Sequence, residues 1–266
     1  YFVNETLGLR LSDDLEIPDE SETFATTILQ SYHSDSVLID ALLKEEDIGN
    51  IENRLKADGL WSLGNPGELL FQQKQEELTE FLSQIGTLEL GEAKEDIEFN
   101  IAVGAFKLQG KLSNLYERGI LLMRYAKLKG KDLLTWWLHH LIAKEIGLEI
   151  DRVYLQMKDA DGCIMQQNQQ GPNLEELLQL FVAGRTEPSS LFIQPAVEYC
   201  QQTLSTRASI SPLQKARQSY KYSVDNGYEP YWSLLFGNTG EEQILGEQFV
   251  AITEKTLMPI WSLYNG

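Results

Sequence analysis

The stretch GKLSNLYERGILLMRYAKLKGKDLLTWWLHHLIAKE, residues 110–145, decides the fold. As far as Tyr125, its apolar residues fall singly or in one short block from Ile120, around a turn at Glu117-Arg118-Gly119; this is the pattern of short strands. From Asp132 the period changes. Leu133, Leu134, Trp136, Trp137, Leu138, Leu141 and Ile142 give a broad apolar helix side that stops at Gly147, with Asp132 as the expected N-cap. Strands followed by an apolar helix make an α/β unit, in which Trp136 or Trp137 should face the sheet.

Upstream, Ile97, Phe99, Ile101 and Val103 alternate with polar or small residues, and Phe106, Leu108, Gly110 and Leu112 do the same after Gly104. The expectation is an antiparallel meander, with a central mixed sheet built around residues 97–126 and flanked by helices. Earlier still, Val37, Leu38, Ala41, Leu42, Ile48, Ile51 and Leu55 are spaced as one bent helix or two, broken near Gly49-Asn50. Asn65-Pro66 reads as the N-cap and first residue of a further helix, whose stripe of Leu70, Phe71, Leu78, Phe81, Leu82 and Ile85 ends at Gly86. Downstream the pattern gives a strand at Arg152–Gln156, a turn at Asp159–Gly162, a second strand, and a helix capped by Asn173 and closed by Gly184. A short strand, SSLFIQ, comes next. Helices are then expected from Pro195, from Ser211-Pro212, around Tyr228–Phe236, and from Glu241 to the end. The chain thus reads as a single domain: a helical part at about 30–86, a sheet core at about 87–194 and a helical part at about 195–266.

With 266 residues, 42% of them hydrophobic and 23% charged, the chain can build its own core. Cys163 and Cys200 have no metal-ligand spacing and are expected as free thiols of a cytoplasmic protein. No basic segment precedes an apolar run, and no apolar stretch reaches the roughly 18 residues that span a bilayer, so neither export nor membrane insertion is expected. Asn4-Glu5-Thr6 is then a chance match to a glycosylation pattern. Because the chain starts at Tyr1 without a methionine, it is expected to be a piece of a longer polypeptide.

The formal net charge of −18 argues against a free-standing nucleic-acid binder, because phosphates repel carboxylates. That average hides a reversal. Residues 107–131 hold seven basic residues (Lys107, Lys111, Arg118, Arg124, Lys127, Lys129, Lys131) and a single acid, Glu117. This is either a solvated surface or a face that contacts a polyanion.

Several chemistries are excluded. His139 and His140 point about 100° apart on a helix and cannot chelate one ion, so one should pack near the tryptophans and the other should meet solvent. GAFKLQGK, residues 104–111, has five residues between its glycines and Leu112 after its lysine, unlike a phosphate-binding loop. No G-x-S-x-G elbow exposes a serine nucleophile.

The order of elements in residues 110–145 resembles the frame on which magnesium nucleases of the PD-(D/E)XK type hold an Asp on one strand and an acid-x-Lys on the next. That chemistry needs carboxylates for the metal and a lysine for the attacking water. Here the Asp position is Ser113, and the acid-x-Lys position reads Arg124-Tyr125-Ala126. An arginine at a cation site opposes magnesium.

Across nearly its whole length the chain resembles the C-terminal domain of the gamma subunit of exodeoxyribonuclease V (RecC), part of the bacterial RecBCD helicase-nuclease. The likeness runs through the opening Tyr1-Phe2, EIPDE at Glu16–Glu20, GELLF at Gly67–Phe71, the WWLHHL helix, LQKAR at Leu213–Arg217 and the ending LMPIWSLYNG. It implies a restriction-endonuclease-like fold whose nuclease centre has decayed, in a non-catalytic subunit without cofactor or metal that helps hold the RecB and RecD helicase subunits together. The domains that scan DNA for Chi lie upstream of the matching region and are not implied here.

Three readings follow. The first is a dead nuclease module for assembly and DNA positioning, with Lys107, Lys111, Arg118, Lys127, Lys129 and Lys131 as DNA contacts. The second is a protein-binding module with no DNA role. The third is an active nuclease with relocated ligands, for which Glu98, Glu117 and Asp132 are the nearby acids. Aromatics crowd the C-terminal part, and Tyr228, Trp232 and Trp261 are candidate anchors for partner subunits in an exposed apolar patch within residues 212–266.

Overall fold

A computed structural model describes residues 6, 28–165, 170–237 and 239–265. Asn4-Glu5, Tyr1-Phe2 and Glu16–Glu20 lie outside the described residues. The fold is α/β, and the chain divides into two compact units. One holds residues 28–89 together with Met123–Lys127; the other holds Thr6, Leu90–Leu122 and the described residues from Leu128 onward.

The helical unit contains α1 (Ile28–Leu43), α2 (Ile48–Ala57) and α3 (Gly64–Gly86). The break between α1 and α2 falls just before Gly49-Asn50 rather than at it. Asp47 caps α2 by accepting the Gly49 N–H at 3.0 Å, which draws both residues into the first helical turn. Likewise α3 begins at Gly64 with Leu63 as its N-cap, so Pro66 sits third in the helix, where a missing N–H costs nothing. Leu38, Ala41, Ile51, Leu55, Phe71, Leu78 and Phe81 form the core, joined from far along the sequence by Tyr125. Leu70 is not part of it. The line through Phe71, Leu78 and Phe81 fixes the buried side of α3 and leaves Leu70 more than half exposed.

Gly67 explains the start of GELLF. Its carbonyl accepts the Trp61 indole N–H at 2.9 Å, and a Cβ there would lie within 2.0 Å of the Ser62 carbonyl oxygen, so the turn into α3 closes only on glycine. The Trp61 ring then meets Phe71 edge-on at 5.5 Å.

The sheet unit departs from the expected meander. Strands β1 (Ile97–Val103) and β2 (Phe106–Leu112) pair antiparallel from Ile97↔Leu112 to Val103↔Phe106, as a separate two-stranded ribbon. The main sheet runs in the order β3 (Leu115–Tyr116), β4 (Gly119–Arg124), β5 (Arg152–Met157), β6 (Asp161–Met165). Between the two, Asn114 adopts φ 58° and turns the chain out of the ribbon. The central sheet is therefore not built on residues 97–126; half of it comes from β5 and β6. Strand β5 is buried at every residue after Arg152, as befits an inner strand.

Helix α4 (Gly130–Glu145) covers the sheet with both tryptophans buried. Trp136 donates its indole N–H to the Val153 carbonyl at 2.9 Å, and Trp137 donates to that of Pro172 at 2.7 Å. Asp132 does not stand at the N-cap, which is Lys129. It is the third helical residue and accepts the Lys129 N–H at 2.8 Å. Gly162 on β6 makes room for this packing, since a Cβ there would lie 3.1 Å from Trp136 and 3.0 Å from Tyr264.

Helix α5 (Leu174–Thr186) is capped by Asn173 as expected but runs past Gly184. SSLFIQ forms no strand. Phe192 is instead the N-cap of α6 (Ile193–Leu204), because Pro195 fits the helix's first turn and Phe192 buries its ring. That ring meets Tyr220 at 5.3 Å, Trp232 at 5.0 Å and Phe236 at 5.5 Å, joining α6 to α7 (Pro212–Asp225) and α8 (Pro230–Phe236). The last helical stretch is two pieces, α9 (Glu241–Ile244) and α10 (Glu247–Asn265), divided at Leu245-Gly246.

Candidate functional site

Ser113 lies between β2 and β3, on neither strand. Its hydroxyl hydrogen-bonds to Asp96, which is also ion-paired with Lys111 at 2.7 Å. The Lys111 hydrogen bond, with help from the Ser113 hydroxyl, holds the Asp96 carboxyl below the usual carboxylate range and raises the Lys111 ammonium in turn. Asp96 is thus an acid beside Ser113, additional to the expected Glu98, Glu117 and Asp132. The sequence did carry a signal for it. Continuing the β1–β2 register one step past Ile97↔Leu112 sets Asp96 opposite Ser113.

Arg124 ends β4 and donates from its guanidinium to the Lys127 carbonyl at 3.4 Å; Ala126 is half-buried. Between them Tyr125 turns into the helical unit. Its hydroxyl donates to Glu77 at 2.7 Å, its ring meets Phe81 edge-on at 5.3 Å, and the Lys74 ammonium lies 5.2 Å above it. Lys74 is itself held by Asp35 at 3.4 Å and Glu77 at 3.6 Å. Burial, then the Glu77 hydrogen bond, raises the Tyr125 phenol. The stretch that would carry acid-x-Lys in a nuclease therefore serves as a fastener for α3. Among the described residues no three His, Cys, Asp or Glu side chains group closely enough to hold a metal ion.

The basic segment is divided among different elements. Lys107 and Lys111 share one face of the ribbon with Gln109, but the Lys111 charge is answered by Asp96. Arg118 is exposed at the β3–β4 turn. Lys127, Lys129 and Lys131 are exposed around the start of α4, where Lys129 partly offsets the upward push that burial gives the Glu229 carboxyl. Lys107, Lys127 and Lys131 have no ion pair among the described residues.

Of the three aromatic anchor candidates, only Tyr228 is largely exposed, at 64%. Trp261 is buried in the core, and Trp232 is half-buried, stacked on Tyr220 at 5.2 Å with planes 2° apart. Tyr228 hydrogen-bonds with Tyr222, also exposed, their rings 5.9 Å apart; Leu234 is the third large exposed apolar side chain in this part of the chain. His140 is buried 4.9 Å from Trp137, and His139 lies nearer solvent with Nδ1 at 2.8 Å from the Thr135 carbonyl. Both cysteines are free; burial pushes the Cys200 thiol up to about 12. No described helix is long and apolar enough to cross a membrane.

The family described as RecC C-terminal domain matches residues 1–204. The chain is 20% identical over 263 residues to the RecBCD enzyme subunit RecC of Buchnera aphidicola subsp. Acyrthosiphon pisum, covering 97% of this chain and 23% of that protein. It is 22% identical over 150 residues to the same-named protein of Buchnera aphidicola subsp. Schizaphis graminum, covering 55% of this chain and 14% of that one. With the RecBCD enzyme subunit RecC of Escherichia coli (strain K12) it shares 24% over 131 residues, covering 49% and 11%. The chain thus spans less than a quarter of the length of these curated relatives.

Proposed function

Since the chain belongs to the RecC C-terminal domain family, we propose that it is a non-catalytic module of a cytoplasmic helicase-nuclease subunit that repairs DNA double-strand breaks. In this reading it keeps a restriction-endonuclease-like frame, has lost the nuclease centre, and serves assembly with RecB and RecD and the positioning of DNA. One observation supports it: Tyr125, in the Arg124-Tyr125-Ala126 stretch that this reading aligns with acid-x-Lys, is committed to packing, while Ser113 and Arg124 offer no carboxylate for a metal. Calorimetric titration with magnesium or manganese should therefore give no saturable heat, and neither single- nor double-stranded DNA should be cut. Metal-dependent cleavage that disappears in Glu98→Ala or Glu117→Ala would replace this reading with an active nuclease.

DNA positioning falls to the exposed lysines. The isolated chain should bind DNA weakly, because its overall field repels phosphate. In the assembled complex, the triple change Lys127→Glu, Lys129→Glu, Lys131→Glu should weaken binding to duplex ends. It should also flatten the slope of log K against log salt by up to about 2.7, at about 0.9 for each phosphate no longer neutralised. An unchanged slope would favour the alternative of a purely protein-binding module, a reading supported by the pairing of Lys111 with Asp96.

Assembly is read onto the C-terminal helices. Tyr228→Asp should leave the fold intact by circular dichroism and reduce recovery of RecB and RecD with the subunit. Recovery at the wild-type level would move the docking surface elsewhere.

A further inference from the structure

Helix α3 has apolar residues on two sides. Gly67, Phe71, Leu78 and Phe81 are buried, while Leu63, Leu69 and Leu70 are 66%, 58% and 53% exposed. Leu63 is the N-cap, outside the helical turns. Within the helix, positions 69, 73, 76 and 80 recur at the spacing of one face, so a stripe runs from Leu69 through Gln73 to Glu76 and Glu80, with Pro66 and Leu70 at its edge. Single exposed leucines are ordinary on a protein surface. Leu69 and Leu70, just after the exposed N-cap Leu63, leave apolar surface at the start of one helix that the core of the unit does not use.

Beyond that patch the same helix turns acidic. Gln72, Gln75, Glu76, Thr79, Glu80 and Ser83 line an open trough along α3. Residues 28–89 hold 12 acidic and 4 basic side chains, a net charge of −8. Three of the four cations are already paired within the unit: Lys44 with Asp40, Lys56 with Glu52 and Glu68, and Lys74 with Asp35 and Glu77. Glu76 and Glu80 have no ion pair among the described residues, so leucine is followed by unanswered carboxylate along about 16 Å of helix.

The geometry points to α3 as a docking face for a basic amphipathic helix of a partner polypeptide. Its apolar side would cover Leu69 with Pro66 and Leu70 at the edge, and its Lys or Arg residues would meet Glu76 and Glu80. The charge selects the occupant. Anionic lipid and nucleic acid are repelled by this surface, and an acidic helix would add to the repulsion, whereas a cationic helix satisfies both halves of the stripe. The inference rests on reading the chain as an assembly module, and it places a second contact in the helical unit, apart from Tyr228.

The probe is a fluorescent synthetic helix of leucine and lysine titrated into the whole chain, with a leucine–glutamate helix of the same pattern as control. Leu69→Asp with Leu70→Asp should weaken binding of the lysine helix at least tenfold, although it adds two charges that attract lysine. Glu76→Lys with Glu80→Lys should weaken it by a similar factor with the leucines intact. All four positions are exposed, and circular dichroism checks that the variants fold. Unchanged or tighter binding by the Leu→Asp pair reduces the effect to bulk charge and overturns the proposal, as does equal binding of the glutamate helix.

In the natural assembly, Leu70→Cys in the full-length subunit, with labelling at position 70 read by peptide mapping apart from the exposed native Cys163, should react with maleimide when the subunit is alone and be shielded once the helicase subunits are bound. Reaction in both states, or shielding in the subunit alone, overturns it. Assembly separates this idea from the Tyr228 reading. A subunit that tolerates the Leu→Asp pair but fails with Tyr228→Asp defeats only the α3 face, and the reverse pattern defeats only the C-terminal one.

Discussion

Trp136→Ala should lower the stability of the sheet unit by about 3–5 kcal/mol, the usual cost of truncating a fully buried large aromatic. Against the roughly 5–15 kcal/mol that holds a domain together, that is enough to leave it partly unfolded at 37 °C. The ring fills the space between α4, β5 and β6, meets Tyr264 edge-on at 6.3 Å, and donates to the Val153 carbonyl, which would lose its indole donor in the variant. Trp136→Phe keeps much of the packing and should recover more than half of the loss. Urea denaturation followed by far- and near-ultraviolet circular dichroism measures both variants. A Trp136→Ala midpoint equal to wild type would mean that the helix is not held to the sheet through this residue.

Tyr125→Ala should cost about 3 kcal/mol, and the loss should concentrate in the helical unit. Tyr125→Phe, which retains the ring but not the hydroxyl bond to the partly exposed Glu77, should cost about 1 kcal/mol. Hydrogen exchange localises the effect: amides of α1–α3 should exchange faster in Tyr125→Ala while those of α4 and β5 stay unchanged. Equal acceleration in α4 would show that Tyr125 does not belong to the helical unit alone. The phenol gives the same contact a pH signature. Its pKa is raised in the folded state, so its share of stability is fully present below the unfolded value of about 10 and is lost as pH rises from there through the folded value. Tyr125→Phe should therefore show a shallower alkaline loss of helical-unit stability than wild type above about pH 10.

How far the sequence could be read depends on the distance over which each feature is decided. Alternation in Ile97–Val103 and Phe106–Leu112 with a turn at Gly104 was enough for two adjacent strands, because a hairpin is fixed by its own residues. The Asn173 cap of α5 and the burial of a tryptophan at Trp136 or Trp137 were equally local. What could not be read locally was which strands lie side by side. The placing of β5 next to β4 rather than β2 depends on α4 packing, which no alternation pattern records. SSLFIQ looks like a strand because Leu, Phe and Ile are good strand formers, and only the aromatic cluster around Phe192 reveals a helix start there. The same limit applied to the site. That Arg124-Tyr125-Ala126 holds no acid-x-Lys is legible at once, whereas the role taken by Tyr125 requires α3 to be in place, 48 residues away in sequence.

The joining of Met123–Lys127 to the helical unit also sets an order of events during synthesis. Helices α1–α3 leave the ribosome before the residue that completes their core, and at about 5–20 residues per second Tyr125 follows Glu89 by about 2–7 s. For that interval the pocket between Phe81 and Lys74 lacks its ring, leaving apolar surface open to solvent. A nascent chain stalled just before Tyr125 emerges should then be bound by chaperones and cut readily within α3, while one stalled a few residues after it emerges should resist.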